Sequence, residues 1–180
     1  ETRSRWEPLY EVTQVKGDSE SHPVLSPEDE FADFEIWDSN EVGKGDRNWH
    51  AWDNERKEKK KNQYARSALK LGLAEQARLG VNPLKFGLIG STDSHIGLSA
   101  VEENNFWGKV VTGYPGAERI LVEGNRAPSH FNAAGYAAIW AVENTREALF
   151  ASMKRKETYA TTGPRMTIRF FGGWEYETTD

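Results

Sequence analysis

The fold of this chain is decided by ten consecutive residues, Phe86-Gly87-Leu88-Ile89-Gly90-Ser91-Thr92-Asp93-Ser94-His95. The stretch opens as a short apolar run, which is typical of a strand buried on both faces. Gly90 then lets the backbone turn, and an aspartate and a histidine follow two positions apart. Because ligands of α/β folds bind beyond the carboxyl ends of the strands, we expect Asp93 and His95 to form part of a metal or catalytic site. The alternative is that Asp93 caps a helix and His95 is a surface histidine.

A second β-rich run carries a carboxylate near the start of the chain, Leu9-Tyr10-Glu11-Val12. A charged side chain in a buried strand is costly unless it is paired or binds a metal. If Glu11 lies at the carboxyl end of its strand, it reaches the same site as Asp93. The other interpretation is that Glu11 faces solvent on an alternating edge strand.

The loop that follows holds three further potential ligands, Asp18, Glu20 and His22, within five residues. Carboxylate oxygens suit hard divalent cations, and imidazole suits zinc, manganese and iron. Glu20 and His22 are therefore candidate metal ligands. Taken singly, Asp18 and Glu20 are more typical of ordinary solvated turn residues.

The rest of the chain predicts an α/β fold in one domain over residues 1–180, because helical and strand-like segments alternate along it. A helix start is indicated at Ser26 and Pro27, and a long helix from Glu55 to Leu79 with Gly80 as its C-cap. Residues 110–135 are rich in Gly, Pro and charge and predict an irregular excursion. The remaining predicted elements are a strand over Tyr136–Val142, a helix over Arg146–Lys156 capped by Asn144, the end of a strand and a polar turn within Thr158–Arg165, and a strand over Met166–Phe171.

Composition limits the partners and the compartment. The formal net charge of −5 argues against nucleic acid as a partner, since phosphate binding needs a basic surface. No apolar segment approaches the length of a membrane span, so we expect no membrane association. The absence of cysteine removes disulfides and thiolate ligands and leaves the choice between bacterial cytoplasm and periplasm open.

Several separated motifs together resemble the DUF3604 family, which is related to the PHP (polymerase and histidinol phosphatase) metallohydrolases. The resemblance extends from about Pro8 to Trp174. The motifs that carry it are Pro8-Leu9-Tyr10-Glu11-Val12 with Gly17-Asp18-Ser19-Glu20, Gly80-Val81-Asn82-Pro83-Leu84-Lys85-Phe86-Gly87, Gly90-Ser91-Thr92-Asp93-Ser94-His95 and Tyr159-Ala160-Thr161-Thr162-Gly163-Pro164-Arg165.

The resemblance implies the C-terminal part of a distorted (β/α)7 barrel with two or three divalent metal ions, manganese, zinc or iron, at the carboxyl ends of the strands. It assigns Asp93 and His95 to a late Asp-x-His motif and Glu11 to a glutamate that bridges metals, with Glu20 or His22 as the next ligand. An early His-x-His motif is also expected, and this chain has none. The histidines are His22, His50, His95 and His130. We therefore expect the chain to be the C-terminal part of a longer protein, holding part of a metal site and able to self-associate or to pair with the missing N-terminal part.

The function implied is metal-dependent hydrolysis, with phosphoesters favoured and Asp93 and His95 at the reacting centre. Arg165 and Thr162 are candidate substrate-binding residues, because a guanidinium matches a small anionic substrate in bidentate fashion. The alternative for Arg165 is a surface residue after a turn. Two other functions stay open: hydrolysis of a carboxylic ester, amide or sulfate ester on the same centre, and a non-catalytic structural or binding segment.

Overall fold

The protein has a mixed α/β architecture with two small sheets. The computed structural model describes residues 1–14, 17–34, 36, 53–95, 97, 103–105, 135–162 and 165–177. The presence of both helices and strands confirms the predicted α/β class. The described strands form no closed barrel, and the (β/α)7 barrel stays a prediction. The elements are helices α1 (Thr2–Trp6), α2 (Asn54–Lys60), α3 (Ala65–Leu79) and α4 (Arg146–Arg155), strands β1 (Leu9–Gln14), β2 (Gly17–Asp18), β3 (Gly87–Gly90), β4 (Tyr136–Ile139) and β5 (Thr158–Thr161), and a 3-10 turn at Glu103–Asn105.

The first sheet has the order β2-β1-β3, with β1 parallel to β3 and antiparallel to β2. Glu11 stands opposite Ile89 and Thr13 opposite Gly90, so Val12 is an extra residue in β1. Such a bulge breaks the alternation of side chains. Val12 and Thr13 are consequently both buried, while Glu11 is exposed.

The second sheet pairs β4 antiparallel with β5 and packs against β3. Both ends of β3 are glycines that lie against this second sheet. A Cβ on Gly87 would stand 2.9 Å from the Thr158 hydroxyl, and one on Gly90 would stand 2.7 Å from the Tyr136 carbonyl oxygen. The predicted strand at the centre of the chain is thus confirmed, and its glycines allow the close approach of the two sheets.

The long helix predicted over Glu55–Leu79 is wrong in one respect, because it is interrupted before Ala65. Tyr64 adopts an extended backbone and turns its ring into the core, where it is 1% exposed. The N–H groups of Ala65 and Arg66 bind the carbonyls of Ser19 and Glu20 at 2.8 and 3.0 Å. These carbonyls satisfy donors that a helix start leaves without a partner in the helix, so α3 begins anew at this point. Its predicted C-cap is confirmed, since Gly80 has φ +75°.

Three other predicted elements differ from the structure. The helix expected at Ser26 and Pro27 is a series of turns, in which Asp29 accepts a hydrogen bond from the Phe31 N–H and bends the chain locally. Helix α4 is capped by the Thr145 side chain, 3.3 Å from the Ala148 nitrogen, and not by Asn144. The segment Met166–Phe171 has no regular secondary structure and joins no sheet among the described residues.

Some predictions concern residues outside those that the structure describes. These are the excursion at residues 110–135, apart from Gly135, and the histidines at positions 50 and 130. In the described segments, no helix combines the length and apolar character that crossing a bilayer requires.

Candidate functional site

The carboxyl ends of β1 and β3 are joined by hydrogen bonds that centre on Ser91. The Ser91 hydroxyl donates to the Glu11 carboxylate and accepts from the Asp93 N–H at 3.2 Å. The Ser91 N–H also binds the Thr13 carbonyl at 2.9 Å, which continues the pairing of the two strands. Glu11, the third of the six residues of β1, therefore lies beside the loop that carries the Asp-x-His pair.

Asp93 and His95 lie side by side at this end of the sheet. Their closest atoms, Asp93 Oδ1 and His95 Nε2, are 3.4 Å apart, and the aspartate side chain is more buried than the imidazole. Asp93 has φ +48°, in the left-handed region that disfavours most side chains. Backbone strain of this kind clusters at functional sites, so the position of this carboxylate is a reason to test it.

These residues fit a divalent cation in part. A carboxylate and an imidazole form a donor pair that suits zinc, manganese or iron. Glu11 adds a second carboxylate, which reaches Asp93 through Ser91 and not directly. Among the residues described, no three histidine, aspartate or glutamate side chains converge on one point that could hold a metal ion. Asp93 and His95 can thus supply two ligands, and a complete site needs further donors.

Glu20 lies in a different cluster, organised by Arg66. The Arg66 guanidinium binds the carboxylate of Glu20 at 2.6 Å and that of Asp29 at 2.8 Å. The hydrogen bond from Arg66 is the main reason why the pKa of Asp29 is lowered, and the two carboxylates raise the pKa of Arg66. With Asp18 and Thr162, these residues line an open cavity of about 350 Å³. A ligand role for Glu20 stays a prediction, and in the structure one of its carboxylate oxygens is bound by Arg66.

His22 is fully buried beneath the same cluster. Its Nδ1 accepts a hydrogen bond from the Val24 N–H at 3.1 Å, and its ring meets the Tyr64 ring edge-on at 5.4 Å between centroids. An accepting Nδ1 places the proton of a neutral imidazole on Nε2. Its role as a metal ligand stays a prediction.

Arg165 is an exposed residue that contacts Tyr136. Its guanidinium stacks on the Tyr136 ring at 4.7 Å, and Nη2 donates to the Tyr136 hydroxyl at 3.3 Å. The backbone of Tyr136 is the group that meets Gly90. Arg165 is thus connected to β3 through Tyr136, while Thr162 lies in the cavity of Arg66. The two predicted substrate-binding residues are therefore near each other in sequence but belong to different surroundings.

Sequence reasoning missed Ser91, Arg66 and Tyr136. Ser91 lies inside the central motif. In loops, a serine hydroxyl often accepts a hydrogen bond from the N–H two residues further along the chain, which is a local signal that could have identified it. No comparable signal marks Arg66, because its partners Glu20 and Asp29 lie far away along the chain. Tyr136 lies where the two sheets pack against each other, and a single sequence does not reveal that packing.

Comparison with known proteins identifies the family. The profile described as "Protein of unknown function (DUF3604)" matches residues 1–180, and the chain belongs to this family. No curated protein matches the chain, and no solved structure does so either.

Proposed function

We propose that this chain contributes to a metal-dependent hydrolase whose divalent cation lies at the carboxyl ends of β1 and β3. Asp93 and His95 are two of its ligands, and Glu11 is a third carboxylate on the same side. The observation that supports this proposal is the hydrogen bonding of Ser91 to both Glu11 and the Asp93 backbone. Residues from separate parts of the chain thereby meet where α/β folds bind ligands.

The residues of the chain have distinct tasks in this proposal. The Asp93 carboxylate balances the charge of the cation, and the His95 imidazole favours transition metals over magnesium. The Ser91 hydroxyl fixes the orientation of the Glu11 carboxylate. A bound divalent cation lowers the pKa of a water molecule toward neutrality and polarises the substrate oxygen under attack.

Arg165 is the residue that we assign to the substrate. A guanidinium recognises phosphate or carboxylate oxygens, and this one is connected to β3 through Tyr136. A small anionic phosphoester is therefore the favoured substrate class. Thr162, whose surroundings include Arg66, is assigned a secondary part in the same task.

The proposal needs ligands besides Glu11, Asp93 and His95. In the arrangement implied by the resemblance to PHP proteins, these come from Glu20 or His22 and from a His-x-His pair, which this sequence does not contain, within a distorted (β/α)7 barrel. Two or three ions of manganese, zinc or iron are expected in such a centre.

Metal binding by wild-type protein and by Asp93→Asn and His95→Gln variants tests the proposal. Mass-spectrometric metal analysis and titration with Mn²⁺ or Zn²⁺ should show binding that each variant weakens tenfold or more. Glu147→Gln, which removes an exposed carboxylate from the first turn of α4, serves as the control and should bind as wild type does. Equal affinity in all four proteins would show that Asp93 and His95 are not ligands.

Chromogenic phosphate, sulfate and carboxylic esters and an anilide, assayed with added manganese or zinc, separate the substrate classes. Metal-dependent turnover of the phosphate ester supports the favoured class, and turnover of another substrate alone replaces it. Metal binding without turnover of any substrate would favour a structural or binding segment.

A further inference from the structure

The C-terminal segment carries exposed apolar side chains at alternate positions. From Met166 to Tyr176, every second position is apolar or glycine, which is the period of a β-strand. The apolar side chains at these positions range from 44% exposed for Ile168 to full exposure for Trp174. We call these residues the C-terminal apolar face: Met166, Ile168, Phe170, Gly172, Trp174 and Tyr176.

This segment is held in place on one side only. The Tyr159 hydroxyl donates to the Met166 carbonyl at 2.9 Å, and the Trp140 indole donates to the Ile168 carbonyl at 3.1 Å. In an extended chain, the backbone groups of successive residues point to opposite sides, so those of Thr167 and Arg169 point away from these two rings. Among the described residues, this segment pairs with no strand, so its outer edge is available for strand addition.

The charges of the segment are divided between its two halves. Arg165 and Arg169 precede Gly172, and Glu175 and Glu177 follow it. An antiparallel copy of the segment, centred on Gly172, brings Arg169 opposite Glu175. Opposite charges across a strand pair are stabilising, and the same charges in a parallel pair would repel.

The same register also matches the apolar residues. Ile168 falls opposite Tyr176, and Phe170 falls opposite Trp174, so both pairs lie on the C-terminal apolar face. We propose that this segment pairs antiparallel with the same segment of a second copy of the chain, with Gly172 on the two-fold axis. Such an interface is self-complementary, as two-fold symmetry requires.

The size of the contact indicates a weak dimer. Full burial of an aromatic side chain removes roughly 150–250 Å² from water. Neighbours on one face of a strand pair cover each other only in part, so the contact is smaller than the roughly 1,200 Å² at which specific interfaces begin. The chain bends at Trp174 and Glu175, and the Tyr176 ring lies 2.6 Å from the position of a Cβ on Gly173. Pairing requires this bend to straighten, and that cost lowers the affinity further.

Disulfide trapping tests the register directly, because the chain contains no cysteine. Facing residues of the non-hydrogen-bonded kind, such as Gly172 with its copy, have Cα atoms about 4.5 Å apart, which is within the range of a disulfide. Gly172→Cys should therefore form a covalent dimer under mild oxidation. The control is Gly97→Cys, at an exposed position where a Cβ meets nothing within 4 Å, and it should stay monomeric at the same concentration.

Charge exchange tests the pairing without a covalent bond. Arg169→Glu and Glu175→Arg should each weaken dimerisation about tenfold in sedimentation velocity, because each change acts twice in a symmetric interface. The double variant should recover wild-type dimerisation, and circular dichroism checks that all variants are folded. A monomer at every accessible concentration, equal cross-linking of both cysteine variants, or no recovery in the double variant would overturn the proposal. If the chain is a monomer, the C-terminal apolar face would be available to a strand of a different protein.

Discussion

Substitutions of Asp93 distinguish the effect of its backbone conformation on stability from the effect of its carboxylate on metal binding. Its φ of +48° lies in the left-handed region, which costs a residue with a Cβ roughly 1–2 kcal/mol. Asparagine tolerates this region as aspartate does, and glycine enters it freely. The free energy of unfolding of Asp93→Ala should therefore be about 1 kcal/mol lower than that of Asp93→Gly or Asp93→Asn.

The same three variants should behave alike toward metal, since all of them lack the carboxylate. Urea unfolding at neutral pH measures the stability order, and Mn²⁺ or Zn²⁺ titration measures binding on the same samples. Equal stability of the alanine and glycine variants would refute the left-handed conformation. Wild-type metal affinity in the asparagine variant would refute the role of the carboxylate, whatever the order of stability.

Three further predictions concern the strand ends and the Arg66 cluster. In a double-mutant cycle of Ser91→Ala with Glu11→Gln, urea unfolding should give a coupling of about 1 kcal/mol, and a coupling of zero would mean that the hydrogen bond is absent. Gly90→Ala should destabilise the protein by about 1–3 kcal/mol because the new methyl group meets the backbone at the start of β4, and a change within 0.5 kcal/mol would contradict that close approach. Arg66 lowers the pKa of Asp29, so the ionised carboxylate stabilises the fold above its unfolded pKa, and this stability is lost as the pH falls through the folded value. Asp29→Asn should accordingly flatten the fall of the urea midpoint in acid, and an unchanged acid limb would exclude the pair as a source of stability.

Much of the fold near the site follows from local sequence signals. An apolar run between turn residues predicted the strand that became β3, and a β-rich run predicted β1. The proximity of Glu11 to Asp93 was expected only if Glu11 ended its strand. In the structure Glu11 is the third of the six residues of β1 and is exposed, and Ser91 connects it to the Asp93 backbone. The C-cap at Gly80 was also predicted from a local signal, since the positive φ at the end of a helix favours glycine.

The features that sequence did not predict depend on distant parts of the chain. The interruption before α3 exists because Tyr64 enters the core beside His22 and because carbonyls of a remote loop bind the N–H groups of the new helix. Glu20 is a predicted metal ligand, and nothing in the sequence indicated its partner in the structure, Arg66, which lies 46 residues further along the chain. Helical periodicity carries no information on either contact.

The extra residue in β1 also sets the side on which its carboxylate emerges. Pairing with β3 is one-to-one up to Glu11 and resumes at Thr13. A deletion of Val12 would leave both pairs in place, because Ile89 and Gly90 are adjacent in β3 and already face opposite sides. A regular strand that kept Val12 in the ladder would instead place Glu11 and Thr13 on one face, and the carboxylate would point toward the buried side. The bulge is thus what allows one exposed acid and two buried neighbours to follow one another in the same strand.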